Sequence, residues 1–390
     1  YCYLYGSNAF TPPNLNNGGV LVLNLEDPWN PSYVGMYNER YVHDGYVYND
    51  TLWACNVYDG FYTVIDFRNK ETPVNLARQE TPGGVTHNSW LCNQNQTVLL
   101  TDESSNSFLT SWDVRDLANI SELDRYQTAP GSNAIVHNVH VLNDFAITSW
   151  YTEGVVIVDA SRPTNLVEVA KNDFTAFEGD GFHGCWGVYP NLPSGNIVAS
   201  DIENGLYVLS PTYKRASYLE GLVSDSGCGI PLDKVSIQIV GTDRSDITGL
   251  DGIFRTGTAA PGTYDILVSK PGYQSKTISN VLLQSGQVTE LEVQLFSDEI
   301  VSVTGKVESS FGDPLTGAQA NMQSNSDNFQ FTTNGQGVFS KCNIPPADYT
   351  FSVGRWGYET SCEEIAVVSS MQLEKELQAG YYDDFQFHFG

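Results

Sequence analysis

The sequence predicts an all-β protein in which a β-propeller is followed by two small β-sandwich domains. First, a histidine recurs at intervals of 44, 50 and 46 residues, as His43, His87, His137 and His183. Second, each histidine begins a series of short β-branched and aromatic runs separated by Gly, Asn, Asp and Pro, which predicts strands joined by turns. Third, the second half carries a duplicated unit with strand-like alternation. The first half shows no sustained helical periodicity.

The interval between the histidines matches one blade of a propeller. A repeat of about 40–50 residues that contains several short strands is the signature of such a blade. The most apolar strand recurs at one place in each complete repeat, at residues 61–66, 108–113 and 154–159. Because equivalent positions of successive blades lie around one axis, we expect the histidines to form a ring at the propeller centre.

The first strands of the chain predict the back part of a further blade. Residues 3–7, 19–24 and 31–34 follow the order of the later strands of a repeat, with no histidine in front of them. Four blades and a fragment lie at or below the usual range of about 4–8 blades. We therefore expect the propeller, residues 1–215, to be N-terminally incomplete in this chain.

The rest of the chain contains two similar units, residues 216–297 and 298–379. Their centres align at a shift of 85 residues. Residues shared by the two units include Thr248, Gly252, Phe254, Pro261 and Tyr264, matched by Thr333, Gly337, Phe339, Pro346 and Tyr349. Alternation of apolar and polar residues at 235–239 predicts a strand with one face on a sandwich core. We expect each unit to be a small β-sandwich.

The first half resembles a known repeat family. The segment Gly154-Val155-Val156-Ile157-Val158-Asp159, with residues 61–66 and 19–24, resembles the LVIVD repeat. Together with the His-Asn openings and residues 186–195, roughly residues 1–210 resemble choice-of-anchor B family proteins. The resemblance implies a secreted or cell-surface protein of a kind frequent in Bacteroidetes and marine bacteria, with a role such as adhesion. It implies no defined catalytic activity.

The second half resembles another family. The two sandwich units are similar to carboxypeptidase-regulatory-like modules, which are small transthyretin-like sandwiches. The resemblance implies non-catalytic spacers and folding aids. Residues 380–390 alternate aromatic and polar side chains, which predicts the first strand of a further, truncated domain. We expect an anchor or a bacteroidete C-terminal sorting domain beyond this chain.

Composition excludes some partners. The chain has 46 Asp and Glu against 19 Lys and Arg, a net charge of −27. A polyanion is bound through Lys and Arg that release its counterions, so nucleic acid is excluded as a partner. The sequence has no run of about 18 apolar residues, which predicts no transmembrane segment. The expected partner is a protein or a glycan at the cell surface, or another copy of the chain.

The cysteines predict one disulfide. Cys342 and Cys362 both lie in the second sandwich, whereas the first sandwich has Gly257 and Thr277 at the matching positions. Two cysteines gained together in one small module predict a Cys342–Cys362 bond, as expected in an oxidising compartment.

The histidine ring is the candidate functional site. Neutral imidazole is the commonest protein ligand of transition metals, and acidic residues recur further along the blades. The predicted site holds a divalent transition metal through four histidines and two acids, namely His43, His87, His137, His183, Glu103 and Asp201. Two alternatives remain: the histidines fasten blade to blade, with an Asn or Asp neighbour capping the turn, or they act as acid–base catalysts.

Other aromatic residues also have two interpretations. His140 falls where we expect Tyr46, Trp90 and Trp186 in the other blades, so it is predicted to line a wall rather than bind metal. The tryptophans of the propeller either fill the wedge between blades or stack on sugar rings.

Three functions follow from the sequence. The favoured one is a secreted or cell-surface, non-catalytic binding protein whose propeller is an interaction platform on sandwich spacers. The second is a metal-dependent enzyme that uses the histidine ring. The third is a structural subunit of an extracellular assembly.

Overall fold

The computed structural model describes residues 1–6, 18–297 and 301–380, and nearly all regular structure in them is β-strand. Two short 3₁₀ helices, Asn93–Asn95 and Tyr151–Glu153, also lie in this part of the chain. The predicted all-β fold class is therefore confirmed. The strand expected within residues 380–390 falls on 381–390, outside the described residues.

The described chain forms two compact units. One comprises residues 1–219, 255–263 and 282–289, and the other comprises residues 220–254, 264–281 and the described residues from 290 onward.

The first unit contains five antiparallel sheets in which each strand pairs with the next in sequence. The strands are β1 (Cys2–Leu4), β2 (Val20–Asn24), β3 (Ser32–Tyr37), β4 (Asp44–Tyr48), β5 (Thr51–Asn56), β6 (Phe61–Asp66), β7 (Val74–Glu80), β8 (Thr86–Cys92), β9 (Thr97–Asp102), β10 (Leu109–Asp113), β11 (Ser121–Tyr126), β12 (Val136–Leu142), β13 (Phe145–Trp150), β14 (Gly154–Asp159), β15 (Val167–Asn172), β16 (Cys185–Tyr189), β17 (Ile197–Asp201) and β18 (Gly205–Leu209). The strand orders of the five sheets are β1-β2-β3, β4-β5-β6-β7, β11-β10-β9-β8, β12-β13-β14-β15 and β16-β17-β18.

Successive sheets pack as propeller blades. The first strand of each sheet contacts the first strand of the next, in the order β4, β8, β12 and β16. A sheet between two others has both faces covered, which explains why β14 is buried along its whole length. This double burial accounts for a continuous apolar run in the sequence instead of an alternating one.

Tight hairpins join the first two strands of two blades. The turn residues Asn49 and Asp50 have φ of 46° and 59°, and Asn143 and Asp144 have φ of 50° and 57°. Two consecutive left-handed residues make a two-residue hairpin turn whose twist matches that of the strands. Asn and Asp tolerate this conformation better than other residues with a side chain.

A buried carboxylate fixes the chain where it leaves the last blade. Asp159, at the end of β14, is fully buried and accepts hydrogen bonds from Arg215 Nη1 at 2.6 Å and from the Ala216 amide at 2.8 Å. The Arg215 guanidinium also lies over the Phe145 ring, 4.1 Å from its centroid. The sequence did not indicate this contact, because Arg215 is 56 residues from Asp159 in the chain.

We expect Asp159→Asn to lower the free energy of unfolding of the propeller by about 2 kcal/mol, because the buried site then lacks the charge that pairs with Arg215. The equivalent residue of β10, Asp113, pairs with the largely exposed Arg115, so Asp113→Asn should cost less than about 1 kcal/mol. Urea titrations followed by tryptophan fluorescence report on this unit, since six of the seven tryptophans precede residue 219. An equal loss of unfolding free energy in Asp159→Asn and Asp113→Asn would contradict the stabilising role of the buried Asp159–Arg215 pair.

Two sandwiches with one topology follow in the chain. Their strands are β19 (Ser217–Asp225), β20 (Ser236–Ile239), β21 (Ser245–Ile247), β22 (Ile253–Thr258), β23 (Gly262–Ser269), β24 (Lys276–Leu283), β25 (Val288–Leu295), β26 (Val301–Ser309), β27 (Gln319–Gln323), β28 (Asn328–Thr332), β29 (Val338–Ile344), β30 (Ala347–Gly354), β31 (Ser361–Val367) and β32 (Met371–Leu377). The first sandwich has the sheets β22-β19-β25 and β21-β20-β23-β24, and the second has β29-β26-β32 and β28-β27-β30-β31. The same strand order in both agrees with the predicted duplication.

The disulfide differs from the predicted one. Cys342 is bonded to Cys228 of the preceding sandwich repeat, and Cys362 is exposed and free. Cys342 and Cys362 lie on strands of different sheets, β29 and β31. The expected Cys342–Cys362 pairing is therefore corrected. Comparison of the repeats identified the cysteines gained within one module but could not identify a partner in the other.

We expect alkylation of the folded, unreduced protein to label Cys362 and to leave Cys228 and Cys342 unlabelled. Peptide mass spectrometry should then identify a linked pair from residues 228 and 342. Since this bond closes a loop of 114 residues, Cys228→Ser should destabilise the sandwiches by about 3–5 kcal/mol, whereas Cys362→Ser should have little effect. A linked peptide pair from residues 342 and 362 would contradict the structure.

Candidate metal centre

Three of the four predicted ring histidines lie side by side at the first strands of their blades. His43 directly precedes β4, and His87 and His137 are the second residues of β8 and β12. The ring centroids are 4.6 Å apart for His43 and His87, and 4.3 Å apart for His87 and His137.

The fourth position is occupied by Trp186 and not by His183. The strands β8, β12 and β16 each begin one residue before the ring position and each have a register shift there. The residue at this position is His137 in β12 and Trp186 in β16, and these two rings are 5.3 Å apart. The expectation that His183 completes the ring is therefore wrong.

The length of one connection explains this error. Residues 173–184 connect β15 to β16, whereas the corresponding connections before β8 and β12 are the shorter segments 81–85 and 127–135. His183 lies within this long connection, and its spacing of 46 residues from His137 is close to the repeat length by coincidence. Alignment on the β16 strand itself, with its Trp-x-x-Tyr pattern, would have placed Trp186 correctly.

His183 instead forms a pair at the surface. Its Nδ1 is 2.8 Å from Glu203 Oε1, and the other carboxylate oxygen accepts the Gly184 amide at 2.8 Å. The imidazole stacks on the Phe177 ring, with centroids 4.5 Å apart, and its side chain is 51% exposed. The His183 hydrogen bond is the main cause that lowers the pKa of Glu203.

Asp201 has a structural role in its turn. Its buried carboxylate accepts the amides of Glu203 and Asn204 at 3.0 and 2.6 Å. Asp102, at the same position of β9, likewise accepts a hydrogen bond from the Thr81 hydroxyl and from two backbone amides. The described group of possible metal ligands comprises His43, His87 and Glu103 and includes neither Asp102 nor Asp201, so the predicted role of Asp201 as a metal ligand is not supported by its position.

Glu103 does lie at the histidine cluster. It follows the last residue of β9, and its two carboxylate oxygens are 3.5 Å from His87 Nε2 and 3.5 Å from His137 Nε2. Tyr151, which occupies the same position after β13, donates its hydroxyl to Glu103 Oε1 at 2.7 Å. The predicted acidic neighbour of the ring is thus present in one blade.

A chain of hydrogen bonds sets the protonation of the imidazoles. His87 Nδ1 is 3.2 Å from the His137 carbonyl oxygen, and a carbonyl only accepts, so this nitrogen is the donor. His87 Nε2 therefore carries a lone pair, and it accepts from His43 Nε2 at 2.9 Å. His43 Nδ1 in turn accepts from the Tyr41 hydroxyl at 3.3 Å. A neutral imidazole held by a carbonyl at its other nitrogen is the usual state of a metal-ligating histidine.

The donor atoms have separations that suit a small cation. One ligand atom each from His43, His87 and Glu103 lies within 4.8 Å of the other two. Two donors on a tetrahedral zinc ion, with bonds of about 2.0–2.1 Å, stand about 3.3 Å apart. The observed 2.9 Å between the imidazole nitrogens and 3.5 Å from His87 to Glu103 bracket that value.

Burial keeps His87 and His137 uncharged. It lowers the pKa of His87 to about 2, an effect increased by His137 and His43, and it lowers the pKa of His137 to about 4. Burial also raises the pKa of Glu103, against the lowering effect of the Tyr151 hydrogen bond. His87 and His137 are therefore neutral at physiological pH, the state in which an imidazole ligates a metal.

The residues that follow the histidines join the blades. Asn88 donates its amide to Asp44 of the preceding blade at 2.8 Å and accepts the Val139 amide of the next blade at 2.9 Å. These side chains were expected to cap turns, but they bridge neighbouring first strands instead.

A second line of aromatic rings runs three residues further along the first strands. Tyr46 stacks on Trp90 at 4.3 Å, Trp90 packs on His140 at 4.6 Å, and His140 lies 5.9 Å from Tyr189. His140 thus sits in an aromatic wall. The fourth member is Tyr189 and not the expected Trp186. The sequence alignment of this blade was shifted by three residues, from Trp186 to His183 at the ring position and from Tyr189 to Trp186 at the wall position.

The described residues contain no helix with the length and apolar character needed to span a bilayer.

Comparison with known proteins identifies one part of the chain: residues 218–296 match the model of the carboxypeptidase regulatory-like domain. Carboxypeptidase D of Rattus norvegicus is 32% identical over 20% of this chain, and that of Homo sapiens is 34% identical over 20%. The chain spans 6% of the length of each of these relatives.

A solved structure resembles half of the chain. The periplasmic gluconolactonase PpgL of Pseudomonas aeruginosa is 14% identical, with a TM-score of 0.41, over 50% of this chain and 60% of its own. This likeness is too weak to carry an argument, so the propeller assignment rests on the strand order and blade packing described above.

We expect the propeller to lose stability as the pH falls from about 6.5 to about 4, partly because of His140. Burial lowers the pKa of His140 to about 4, whereas an unfolded histidine has a pKa of about 6.5. In that interval the unfolded chain binds a proton that the folded chain does not, so stability falls by up to about 1.4 kcal/mol per pH unit for one such histidine.

His140→Tyr, which places in this wall the residue type found at Tyr46 and Tyr189, should flatten this dependence. Melting temperatures between pH 7 and pH 4.5, measured with a chelator present, test this effect. His183→Gln is the control, because His183 is exposed at the surface. An unchanged pH dependence in His140→Tyr would contradict the expectation.

Proposed function

We propose that this protein is an extracellular, non-catalytic binding protein whose propeller centre holds one divalent transition-metal ion. The observation that supports it is the convergence of His43 Nε2, His87 Nε2 and a Glu103 oxygen within 4.8 Å. Two imidazoles and a carboxylate favour zinc, copper, iron or nickel over calcium or magnesium, which prefer oxygen ligands alone.

His87 is the anchor of the proposed site. Its Nδ1–H is held by the His137 carbonyl, which directs the lone pair of Nε2 toward His43 and Glu103. For a metal to bind, the proton of His43 would have to move from Nε2 to Nδ1, where the Tyr41 hydroxyl could turn to accept it. Both imidazoles would then stay neutral, and each would offer the lone pair of its Nε2 to the metal in place of their mutual hydrogen bond.

Asn88 fastens the blades beside His87, whose Nδ1 donates to the His137 carbonyl of the next blade. Asn88 alone bridges to Asp44 on one side and to the backbone of Val139 on the other. Asn88 and the Nδ1–H of His87 would keep the blades joined if His87 Nε2 turned from His43 to a metal. These contacts are compatible with the metal hypothesis.

Three protein ligands leave a coordination position for a bound molecule. A closed structural zinc site has four protein ligands, whereas a site with three keeps a position for water or another ligand. In the proposal, the metal presents this position to a protein or glycan at the cell surface. Two sandwich domains, residues 216–297 and 298–379, act as spacers for the propeller of residues 1–215. The disulfide of Cys228 and Cys342 fits an oxidising, extracellular compartment.

A metal-dependent enzyme is the second candidate. The specific observation in its favour is the hydrogen bond from the Tyr151 hydroxyl to Glu103 at 2.7 Å, which places an ionisable group beside the open position. Burial and the Glu103 contact raise the pKa of Tyr151, so at neutral pH this hydroxyl is a proton donor. Turnover of a small-molecule ester, lactone or glycoside that is lost with Tyr151→Phe would favour this candidate over the binding protein.

We expect natively purified protein to contain about one transition-metal ion per chain by elemental analysis. The chelator-treated protein should bind zinc in competition with a chromophoric chelator. His87→Ala should weaken zinc binding at least about 100-fold, because it removes the central ligand. His183→Ala is the matched control, since it removes a histidine outside the cluster, and it should bind zinc as the wild type does.

Circular dichroism of the two variants separates loss of the site from loss of the fold. A folded His87→Ala protein without metal supports the proposal. A wild-type protein that binds no transition metal, with His87→Ala destabilised, would show that the histidines have a structural role. Equal loss of zinc in His183→Ala would also contradict the assignment.

A further inference from the structure

Exposed aromatic rings flank the metal cluster, by which we mean the side chains of His43, His87, His137 and Glu103 around the proposed metal position. Trp186 is 53% exposed and its ring lies 5.3 Å from that of His137. Phe182 is 57% exposed and packs edge-on against Tyr151 at 5.1 Å. Large apolar side chains that stay exposed beside a cluster of polar groups are typical of a binding surface.

The long connection of residues 173–184 positions one of these rings. The Thr152 hydroxyl donates to the Gly179 carbonyl at 2.7 Å, which holds the middle of the connection against the end of β13. At its last residue, Gly184 has φ of 83°, and a Cβ there would lie 2.4 Å from the Tyr151 carbonyl oxygen. Only glycine permits this close approach, which brings Phe182 onto Tyr151.

The opposite side of the cluster has an exposed ring as well. Tyr58 is 82% exposed and lies 4.8 Å from the ring of Tyr41, whose hydroxyl contacts His43. Rings therefore run in contact from Tyr58 through the imidazoles to Trp186. The metal cluster lies between two aromatic surfaces that are open to solvent.

Polar groups stand next to the aromatic surface of residues 173–186. His183 and Glu203 form a hydrogen-bonded pair that is partly exposed, and the imidazole stacks on Phe177. A carboxylate and an imidazole beside flat rings offer hydrogen bonds to hydroxyl groups whose neighbouring C–H bonds pack on the rings. This combination suits a molecule that has an apolar face and a hydroxylated edge.

We propose that this surface, formed by Phe182, Trp186, His183 and Glu203, binds a neutral polysaccharide. The proposal rests on the proposed binding function and names its ligand class. A pyranose ring has the required C–H face and hydroxyl edge, and one of its hydroxyl oxygens suits the open position of the proposed metal. The net charge of −27 opposes a polyanion, so nucleic acid and sulfated glycans are excluded.

Affinity electrophoresis of the full chain tests the proposal. Native gels are cast with laminarin, xylan, galactomannan, pullulan or hydroxyethylcellulose, and migration is compared with that in gels without polysaccharide. We expect at least one polysaccharide to retard the wild type. Trp186→Ala and Phe182→Ala should each raise its dissociation constant at least about tenfold, as expected for aromatic anchors of an interface.

Trp29→Ala is the matched control, because Trp29 is 90% exposed but lies in the turn after β2. This variant should be retarded as the wild type is. Absence of retardation in all five gels, or undiminished retardation of both aromatic variants, overturns the proposal. An equal loss in Trp29→Ala also overturns it, since binding would then follow any exposed ring.

Zinc binding by the same variants separates this proposal from the metal site. Trp186→Ala and Phe182→Ala should retain about one zinc ion per chain, because neither side chain is a ligand. Retardation of a wild type that binds no metal supports the polysaccharide surface and contradicts the metal proposal. Zinc binding without retardation supports the metal proposal and contradicts the polysaccharide surface.

Discussion

The first strand of each blade packs against the first strand of the next, and the arrangement of the site depends on this contact. It brings side chains from different blades to within hydrogen-bonding distance, as between His43 and His87 or between Asn88 and Val139. These residues are 44 to 51 positions apart in sequence. No short motif could place them together, and only the repeat period makes their proximity expected.

The sequence predicted the repeat better than it predicted the register. Strand order and the alignment of three histidines followed from the period, since equal spacing means equal position in equal blades. The spacing of the histidines gave the wrong alignment at β16. The longer connection of residues 173–184 shifted the alignment by three residues, so that His183 was matched to His137 in place of Trp186. Alignment by strands is therefore more reliable than alignment by one residue type when connections vary in length.

The carboxylates and cysteines show a different limit of sequence reasoning. Asp102 and Glu103 are neighbours in the chain, yet one accepts amides of the segment before β8 and the other faces the histidines of two blades. Which of two adjacent acids faces the centre depends on the local path of the backbone, which composition does not reveal. Likewise, the gain of Cys342 was visible in the repeat comparison, but its partner lies in the other repeat.

The burial of Glu103 connects the proposed metal to the stability of the propeller. A carboxylate beside two neutral imidazoles loses hydration, and the hydroxyl of Tyr151 compensates one of its oxygens. A cation between Glu103, His43 and His87 would compensate the other oxygen and the lone pairs that face it. Metal at 100 times its dissociation constant adds about 2.7 kcal/mol to the stability of a folded state that alone binds it. A cluster that costs stability when empty and regains it when occupied would favour retention of the proposed metal.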